Sequence, residues 1–244
     1  MGDLSPHLSK LLQRRVVPLA TAALLCGALA PSAADAASHR GHGPGEAVKF
    51  FDAGADLRLG VPASAHGPGY RLVIQRSPFR VITERRGRTV LQTTDGMTGS
   101  AGPAGFHTAD GAATATAVKS ASWHNGALDL TLATSVPGDT VSYRIKPSAD
   151  RYRVSWSVHG SVPADRVATD YDVASAGHWY GQGEAQTPDG GPYTRQPWPL
   201  DSGTVHDSAM GPAEYLMTDP FWFTQRGTGL WVDTNDLMDV SMNG

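Results

Sequence analysis

Cysteine is almost absent from the sequence, since Cys26 is the single thiol in 244 residues. It follows Leu24 and Leu25 in an apolar run near the amino terminus, whereas a lipid-modified cysteine needs a small residue just before it. A chain that loses this run has no thiol, which excludes disulfides, a cysteine nucleophile and cysteine ligation of a metal. Its stability must then come from a hydrophobic core.

Membrane-spanning hydrophobic runs are missing as well. The apolar run at residues 16–30 contains Pro18 and is shorter than the roughly 20 residues that cross a bilayer. Three basic residues precede it: Lys10, Arg14 and Arg15. Small residues follow it, which is the pattern of a secretory signal peptide cleaved after Ala36. The sequence therefore predicts a secreted, extracellular protein with no membrane attachment, and the paired arginines leave a twin-arginine export route open beside ordinary export.

The sequence lacks a large excess of either sign of charge, because its formal net charge is only −3 over 244 residues. A nucleic-acid or anionic-membrane partner selects a basic surface, and no such bias is present. Helical patterns are scarce too: 28 glycines and 17 prolines disfavour long helices, and no apolar stripe of helical period stands out after residue 36. What remains to explain is a chain of short extended segments.

Period-two alternation dominates the rest of the chain. Phe79, Val81 and Thr83 alternate with polar neighbours, and Asn125-Gly126 supplies the positive φ angles of a tight hairpin turn between two alternating segments. Two further segments, Val141 to Ile145 and Tyr152 to Trp156, flank a turn at residues 147–150. The segment from Gly96 to Gly111 predicts a long loop or a weak edge strand. Short strands at this spacing predict an all-β, antiparallel sandwich or barrel.

The segment GHWYGQGEAQTPDGG, residues 177–191, carries the strongest local signal. Gly181 and Gly183 resemble part of a dinucleotide-binding loop, but the third glycine is missing and Pro188 stands where a helix should run. Acid and base candidates cluster nearby, and solvated loop side chains are the competing interpretation for each of them. These candidates are Glu184, Asp189, Asp201, Asp207, His178 and His206.

Four motifs in order carry a resemblance to a known family: SPFRVITERRGRTVLQT, GHWYGQGEAQ, DPFWFTQRGTGLWVDT and NDLMDV. Over residues 70 to 240 the chain resembles the amino-terminal β-sandwich of glycoside hydrolase family 31, the α-glucosidase and α-xylosidase family. The resemblance implies a galactose-mutarotase-like supersandwich. Together with the signal peptide at 1–36, it divides the rest of the chain into a flexible lead and first strand at 37–66 and the sandwich at 67–244.

The resemblance also implies what this domain lacks. The family carries its two catalytic carboxylates on a (β/α)8 barrel that follows the sandwich and needs about 250 residues, so the expectation is a fragment truncated before its catalytic barrel. The chain alone is then a non-catalytic carbohydrate-binding or accessory domain of a secreted retaining α-glycosidase, with no cofactor and no metal. One alternative stays open: GLWVDTND also resembles the family's nucleophile motif, which would make Asp233 the nucleophile rather than the end of a strand.

Candidate site residues follow from the resemblance as well. The family's loop after the Gly-Glu segment reaches toward the barrel mouth, which makes Trp198, Tyr193 and Asp201 the expected contacts to an α-linked oligosaccharide or polysaccharide. For Trp198, which is flanked by prolines, packing of the loop against the sheet is the competing interpretation. Glu184, with Gly181 and Gly183, is expected to order that loop at the junction with the missing catalytic barrel. These roles are structural and substrate-binding, and no residue of this chain is expected to be catalytic.

Two other function classes stay open. One is a free-standing secreted carbohydrate-binding β-sandwich, and the other is an aldose-epimerase-like enzyme that would need a histidine and a carboxylate converging on a sugar. An accessory domain separated from its barrel should expose an apolar docking patch, expected around Trp179, Tyr180, Phe221 and Trp222, whereas a self-sufficient module should cover it.

Overall fold

The structure is a computed structural model that describes residues 20–24, 48–97, 99–172, 178–181, 205–208, 221–233 and 238–241. These residues form antiparallel strands joined by turns and contain no helix. The predicted all-β, antiparallel fold class is therefore confirmed for the described part of the chain. None of its elements is a helix long and apolar enough to cross a membrane.

Three sheets contain all of the named strands. A five-stranded sheet has the order β2-β3-β4-β5-β6: β2 (Lys49–Asp52), β3 (Asp56–Val61), β4 (Tyr70–Arg76), β5 (Phe79–Arg85) and β6 (Arg88–Gln92). A ten-stranded sheet has the order β12-β7-β8-β9-β10-β11-β1-β16-β15-β13. Its strands are β1 (Ala20–Leu24), β7 (Gly105–Thr108), β8 (Gly111–His124), β9 (Ala127–Thr134), β10 (Thr140–Pro147), β11 (Tyr152–His159), β12 (Arg166–Ala168), β13 (Trp179–Gly181), β15 (Phe221–Thr224) and β16 (Gly229–Asp233). The third sheet pairs β14 (Val205–Ser208) with β17 (Met238–Ser241).

Alternating burial explains why these segments are strands. On β5, Phe79, Val81 and Thr83 are buried and their neighbours are not, as the period-two pattern predicts. The same alternation buries the apolar residues of β10 and β11 that the sequence singled out. Each strand thus presents one apolar face, and burying that face supplies the core.

Tight turns set the register of the hairpins. Asn125 and Gly126 adopt φ angles of 50° and 71°, which confirms the predicted hairpin turn between β8 and β9. Arg86 and Gly87 adopt φ 52° and 73° at the equivalent place between β5 and β6. An arginine therefore occupies a left-handed position that asparagine occupies in the other hairpin.

The five-stranded sheet packs face to face against β8–β11 of the larger sheet. Phe79 meets Tyr143 edge to face at 5.2 Å between ring centroids, and Tyr70 meets Tyr152 at 5.9 Å. Thr83, a fully buried polar residue of β5, shares a 2.7 Å hydrogen bond with the Tyr152 hydroxyl. The two inner faces form one hydrophobic core of sandwich type.

Three features differ in detail from the sequence expectations. Two strands, β2 and β3, lie before residue 67 and pair into the same sheet as β4. The Gly96–Gly111 segment is partly loop, but its end forms β7, which pairs with both β8 and β12. Residues 20–24, inside the expected signal peptide, form β1 between β11 and β16. Cleavage after Ala36 stays a prediction.

Candidate functional site

The end of the ten-stranded sheet, formed by β16, β15 and β13, gathers most of the aromatic residues of the expected junction. Strand alternation sends Trp179 and Trp222 into the core, where they are 1% and 2% exposed. Four rings alternate with them and lie on the opposite side of the sheet, where each is partly exposed. We call these four residues the aromatic face: Tyr180, Phe221, Phe223 and Trp231.

The rings of the aromatic face form a row. Tyr180 lies opposite Phe223 in the β13–β15 register, and their ring centroids are 5.7 Å apart with planes inclined by 22°. Phe221 stacks on Phe223 at 5.8 Å, also at 22°, and Trp231 lies opposite Phe221. Gln225 Nε2 donates a 2.7 Å hydrogen bond to the Tyr180 hydroxyl and holds that ring in place. Stacked, partly exposed rings can pack against another apolar surface or against the C–H groups of a sugar.

Gly181 is the residue that lets β13 approach β15 so closely. Its φ is +131°, and a Cβ at this position would lie 2.2 Å from the Phe221 carbonyl oxygen. No larger residue fits this contact without moving the backbone, since real Cβ atoms do not approach other atoms so closely. The first glycine of the Gly-Gln-Gly-Glu motif is therefore required for steric reasons, because only glycine allows β13 to approach β15 this closely.

The other residues predicted for the site lie outside the described residues. These are Gly183, Glu184, Tyr193, Trp198 and Asp201, so their roles stay predictions. His206 and Asp207 lie on β14, opposite Val240 and Asp239 of β17. His178 precedes β13 and is exposed.

The expected apolar patch needs a correction. Trp179 and Trp222 do not contribute to it, because both are buried in the core. Tyr180 and Phe221 do lie on the partly exposed side, and the sequence analysis missed Phe223 and Trp231. The alternation of FWFT and GLWVD could have shown that Phe223 joins Phe221 and that Trp222 faces the other way.

Asp233 is the last residue of β16, an antiparallel strand that pairs with β15 through the Gly227 turn. A (β/α)8 nucleophile would instead end a parallel strand followed by a helix. Asp233 is also paired with Arg153, at 3.7 Å between Oδ2 and Nη2. The alternative that made Asp233 a nucleophile is therefore wrong.

Charged side chains in the described residues form ion pairs on the surface. Arg76 donates a 2.7 Å hydrogen bond to Asp52, and this contact, with the Gly54 amide, lowers the pKa of that carboxyl below its ordinary value. A general acid needs the opposite shift. Arg71 pairs with Glu84, and Arg144 with Asp129. Within the described residues, no group of three or more His, Asp or Glu side chains could hold a metal ion.

The sequence is similar to a described protein-domain family. Residues 64–244 match a family model described as the myogenesis-regulating glycosidase N-terminal domain. Searches of curated proteins and of solved structures return no match. The matched range covers the strands from β4 onward and the aromatic face.

Proposed function

The chain belongs to the myogenesis-regulating glycosidase N-terminal domain family, and we propose that it is the accessory β-sandwich of a secreted retaining α-glycosidase of the family 31 type. The observation that carries this proposal is the family match across residues 64–244. In this function the chain supplies no catalytic carboxylate. The reaction takes place on a barrel domain of the same protein, which the sandwich supports.

The aromatic face is the proposed seat of that catalytic domain. Its stacked rings are held on three adjacent strands, so the surface is preorganised and ordering it on binding costs little. Partly exposed aromatic rings are enriched where two domains or proteins meet. Tyr180 adds a hydroxyl at the border, where it accepts the Gln225 hydrogen bond.

Sugar contact belongs to the loop that follows Gly181. We propose that Trp198 and Tyr193 present ring faces to an α-linked oligosaccharide and that Asp201 accepts hydrogen bonds from its hydroxyl groups. Glu184 and Gly183 order the start of this loop. The crowding at Gly181 supports this arrangement, because it fixes the backbone immediately before these residues.

Export is part of the same proposal. Removing residues 1–36 would take β1 out of the sheet, so the exported domain has to be stable without it. β11 keeps β10 as a neighbour and β16 keeps β15, but β1 is the strand that joins β11 to β16, so the ten-stranded sheet would divide there. Trp179 of β13 and Trp222 of β15 belong to the common hydrophobic core, and this packing would have to hold the two parts together. Among the side chains that the structure describes, the buried core residues lie from Leu57 of β3 onward.

The first test is turnover by the purified chain on 4-nitrophenyl α-glucoside and α-xyloside. We expect no release of nitrophenol above the buffer rate, because a retaining mechanism needs two carboxyl groups about 5 to 5.5 Å apart. Turnover that disappears in a variant of a single carboxylate of this chain would overturn the proposal.

A second test separates the accessory domain from its alternative, a free-standing carbohydrate-binding sandwich. An accessory domain should bind the apolar dye anilinonaphthalene sulfonate at the aromatic face, and Phe223→Ser should remove most of this signal. Phe51→Ser is the matched control, since Phe51 is a 56% exposed ring on β2, away from this face. If the folded chain binds no dye, the face is covered and the free-standing module is favoured.

A further inference from the structure

The outer side of strands β8, β9, β10 and β11 has an unusual composition for an exposed sheet. Two adjacent rows of side chains cross the four strands, and six of the eight members are serine or threonine. In strand order, the first row is Ser120, Thr131, Ser142 and Ser157, and the second is Ser122, Asp129, Arg144 and Ser155. We call these eight residues the hydroxyl face.

Small side chains make this surface concave. Exposed strands more commonly carry long charged side chains, which would fill the space above the backbone. Here the two rows line a groove of about 500 Å³, and longer side chains stand beside it in the next row, at His124, Lys146 and Arg153. A volume in this range suits a ligand the size of a short saccharide.

Part of the hydrogen-bonding capacity on the face is unused. Among the described residues, the hydroxyls of Ser120 and Thr131 have no hydrogen-bond partner, whereas Ser122 Oγ lies 3.5 Å from His124 Nδ1. Ser142 and Ser157 share one partner, His159 Nε2, at 2.8 and 3.3 Å. Each hydroxyl can donate one hydrogen bond and accept others, which is also true of each hydroxyl of a sugar.

The charges of the face cancel. Arg144 Nη1 donates to both oxygens of Asp129, at 2.9 and 3.2 Å, and His124 Nε2 lies 3.2 Å from the same carboxylate. The pair holds the guanidinium in a fixed orientation and leaves its other N–H groups as donors. A neutral ligand rich in hydroxyl groups suits this surface better than an anion or an apolar chain does.

We propose that the hydroxyl face is a second binding surface, for a neutral oligosaccharide, separate from the aromatic face. Neighbouring strands place hydroxyls at intervals of about 4.8 Å, on the order of one sugar ring, so successive rings can meet successive strands. We infer the location of this site from the groove, and we infer the class of sugar from the proposed function. The site lies on β8–β11, and the aromatic face lies on β13, β15 and β16 of the same sheet.

The test is a titration of the ¹⁵N-labelled 244-residue chain with maltoheptaose, followed by amide chemical shifts. We expect saturable shifts on β8–β11 with a dissociation constant in the millimolar range, since the site has hydroxyls but no exposed ring among its lining residues. Thr131→Val keeps the shape and removes one hydroxyl, and it should weaken binding about fivefold. Thr89→Val, at an exposed threonine on β6, is the matched control and should leave binding unchanged.

Three results would overturn this inference. They are no shifts up to about 20 mM sugar, equal effects of Thr131→Val and Thr89→Val, or binding that Phe223→Ser abolishes while Thr131→Val leaves it unchanged. The third result would move sugar binding to the aromatic face. Turnover and dye binding test the proposed function separately, so the first two results leave it standing, whereas the third would also contradict the use of the aromatic face for docking the catalytic domain. A change in oligomeric state with Thr131→Val and no sugar binding would instead assign the face to a second copy of the chain.

Discussion

Gly181 is the residue whose substitution should matter most at the junction. Gly181→Ala places a Cβ 2.2 Å from the Phe221 carbonyl oxygen at a φ of +131°. We expect it to lower the free energy of unfolding by about 2 to 4 kcal/mol, because both the close contact and the backbone conformation oppose a side chain. Thermal or urea unfolding of the purified chain measures the change.

Gly111→Ala is the control for that substitution. Gly111 has a similar φ of +121°, but nothing lies within 4 Å of the point that a Cβ would occupy there. This variant should cost only about 1 kcal/mol, from backbone strain alone. Equal losses at the two glycines would mean that the contact with Phe221 does not exist in solution.

Tyr143 should make the protein sensitive to alkali. Burial raises the pKa of its phenol well above the ordinary value of 10, with a further contribution from Tyr171. Above pH 10 the unfolded chain therefore loses this proton before the native chain does, so the free energy of unfolding falls as pH rises through the unfolded pKa. In urea unfolding between about pH 9 and about pH 11, Tyr143→Phe should lose less stability than the parent chain.

Tyr180→Phe is the matched control, since Tyr180 is partly exposed on the aromatic face. Tyr143→Phe should change the slope of stability against pH more than Tyr180→Phe does, because Tyr143 is the buried member of this pair. A parallel decline of the parent chain and Tyr143→Phe would show that the Tyr143 phenol is not buried in its neutral form.

Individual residues show where sequence reasoning succeeds and where it stops. Trp222 and Phe223 are adjacent aromatics of similar hydrophobicity, yet one is buried and the other lies on the aromatic face. Only the phase of the β15 strand separates them. The apolar patch expected from the sequence therefore contains two residues that are partly exposed, Tyr180 and Phe221, and two tryptophans that are buried.

At the scale of elements, two hairpins of similar turn geometry carry different residues. Asn125 and Arg86 both precede a glycine and have φ angles near 50°. Asparagine tolerates this left-handed conformation better than arginine does. Arg86→Asn should therefore stabilise the chain by about 0.5 to 1 kcal/mol, and Asn125→Arg should destabilise it by a similar amount.

The opposite signs make this pair of variants its own control. Both are measured by urea unfolding under the same conditions, and neither turn residue is buried. If the two substitutions shift stability in the same direction, side-chain contacts rather than turn conformation decide the stability of these hairpins.

Elements with strong alternation could be predicted, and elements rich in small residues could not. The apolar residues of β5, β10 and β11 mark their buried faces clearly. The long strand β8 begins with Gly-Ala-Ala-Thr-Ala, in which alternation is weak, and its register shifts near Thr116 and Lys119. The hydroxyl face could not be predicted either, for a different reason. Its two rows exist only when the registers of four strands are known, and the sequence does not give those registers.

At the scale of the whole molecule, cleavage after Ala36 requires that the remaining chain folds without β1. A chain of residues 37–244 lacks β1, which joins β11 to β16, but it keeps the β10–β11 and β15–β16 pairings and the core contacts of Trp179 and Trp222. We expect it to be folded and to unfold cooperatively, with the β-sheet circular dichroism of the parent chain. A chain that stays unfolded without residues 1–36 would show that β1 is part of the native sheet, and it would contradict cleavage after Ala36.

If this sandwich precedes the catalytic barrel of an α-glycosidase, the gene should encode that barrel after the codon for Gly244, and sequencing it in all three frames tests this. We predict several hundred further codons that encode alternating strands and helices, with two aspartates at the ends of barrel strands. A stop codon followed by unrelated sequence would contradict it. The chain would then have no catalytic domain to support.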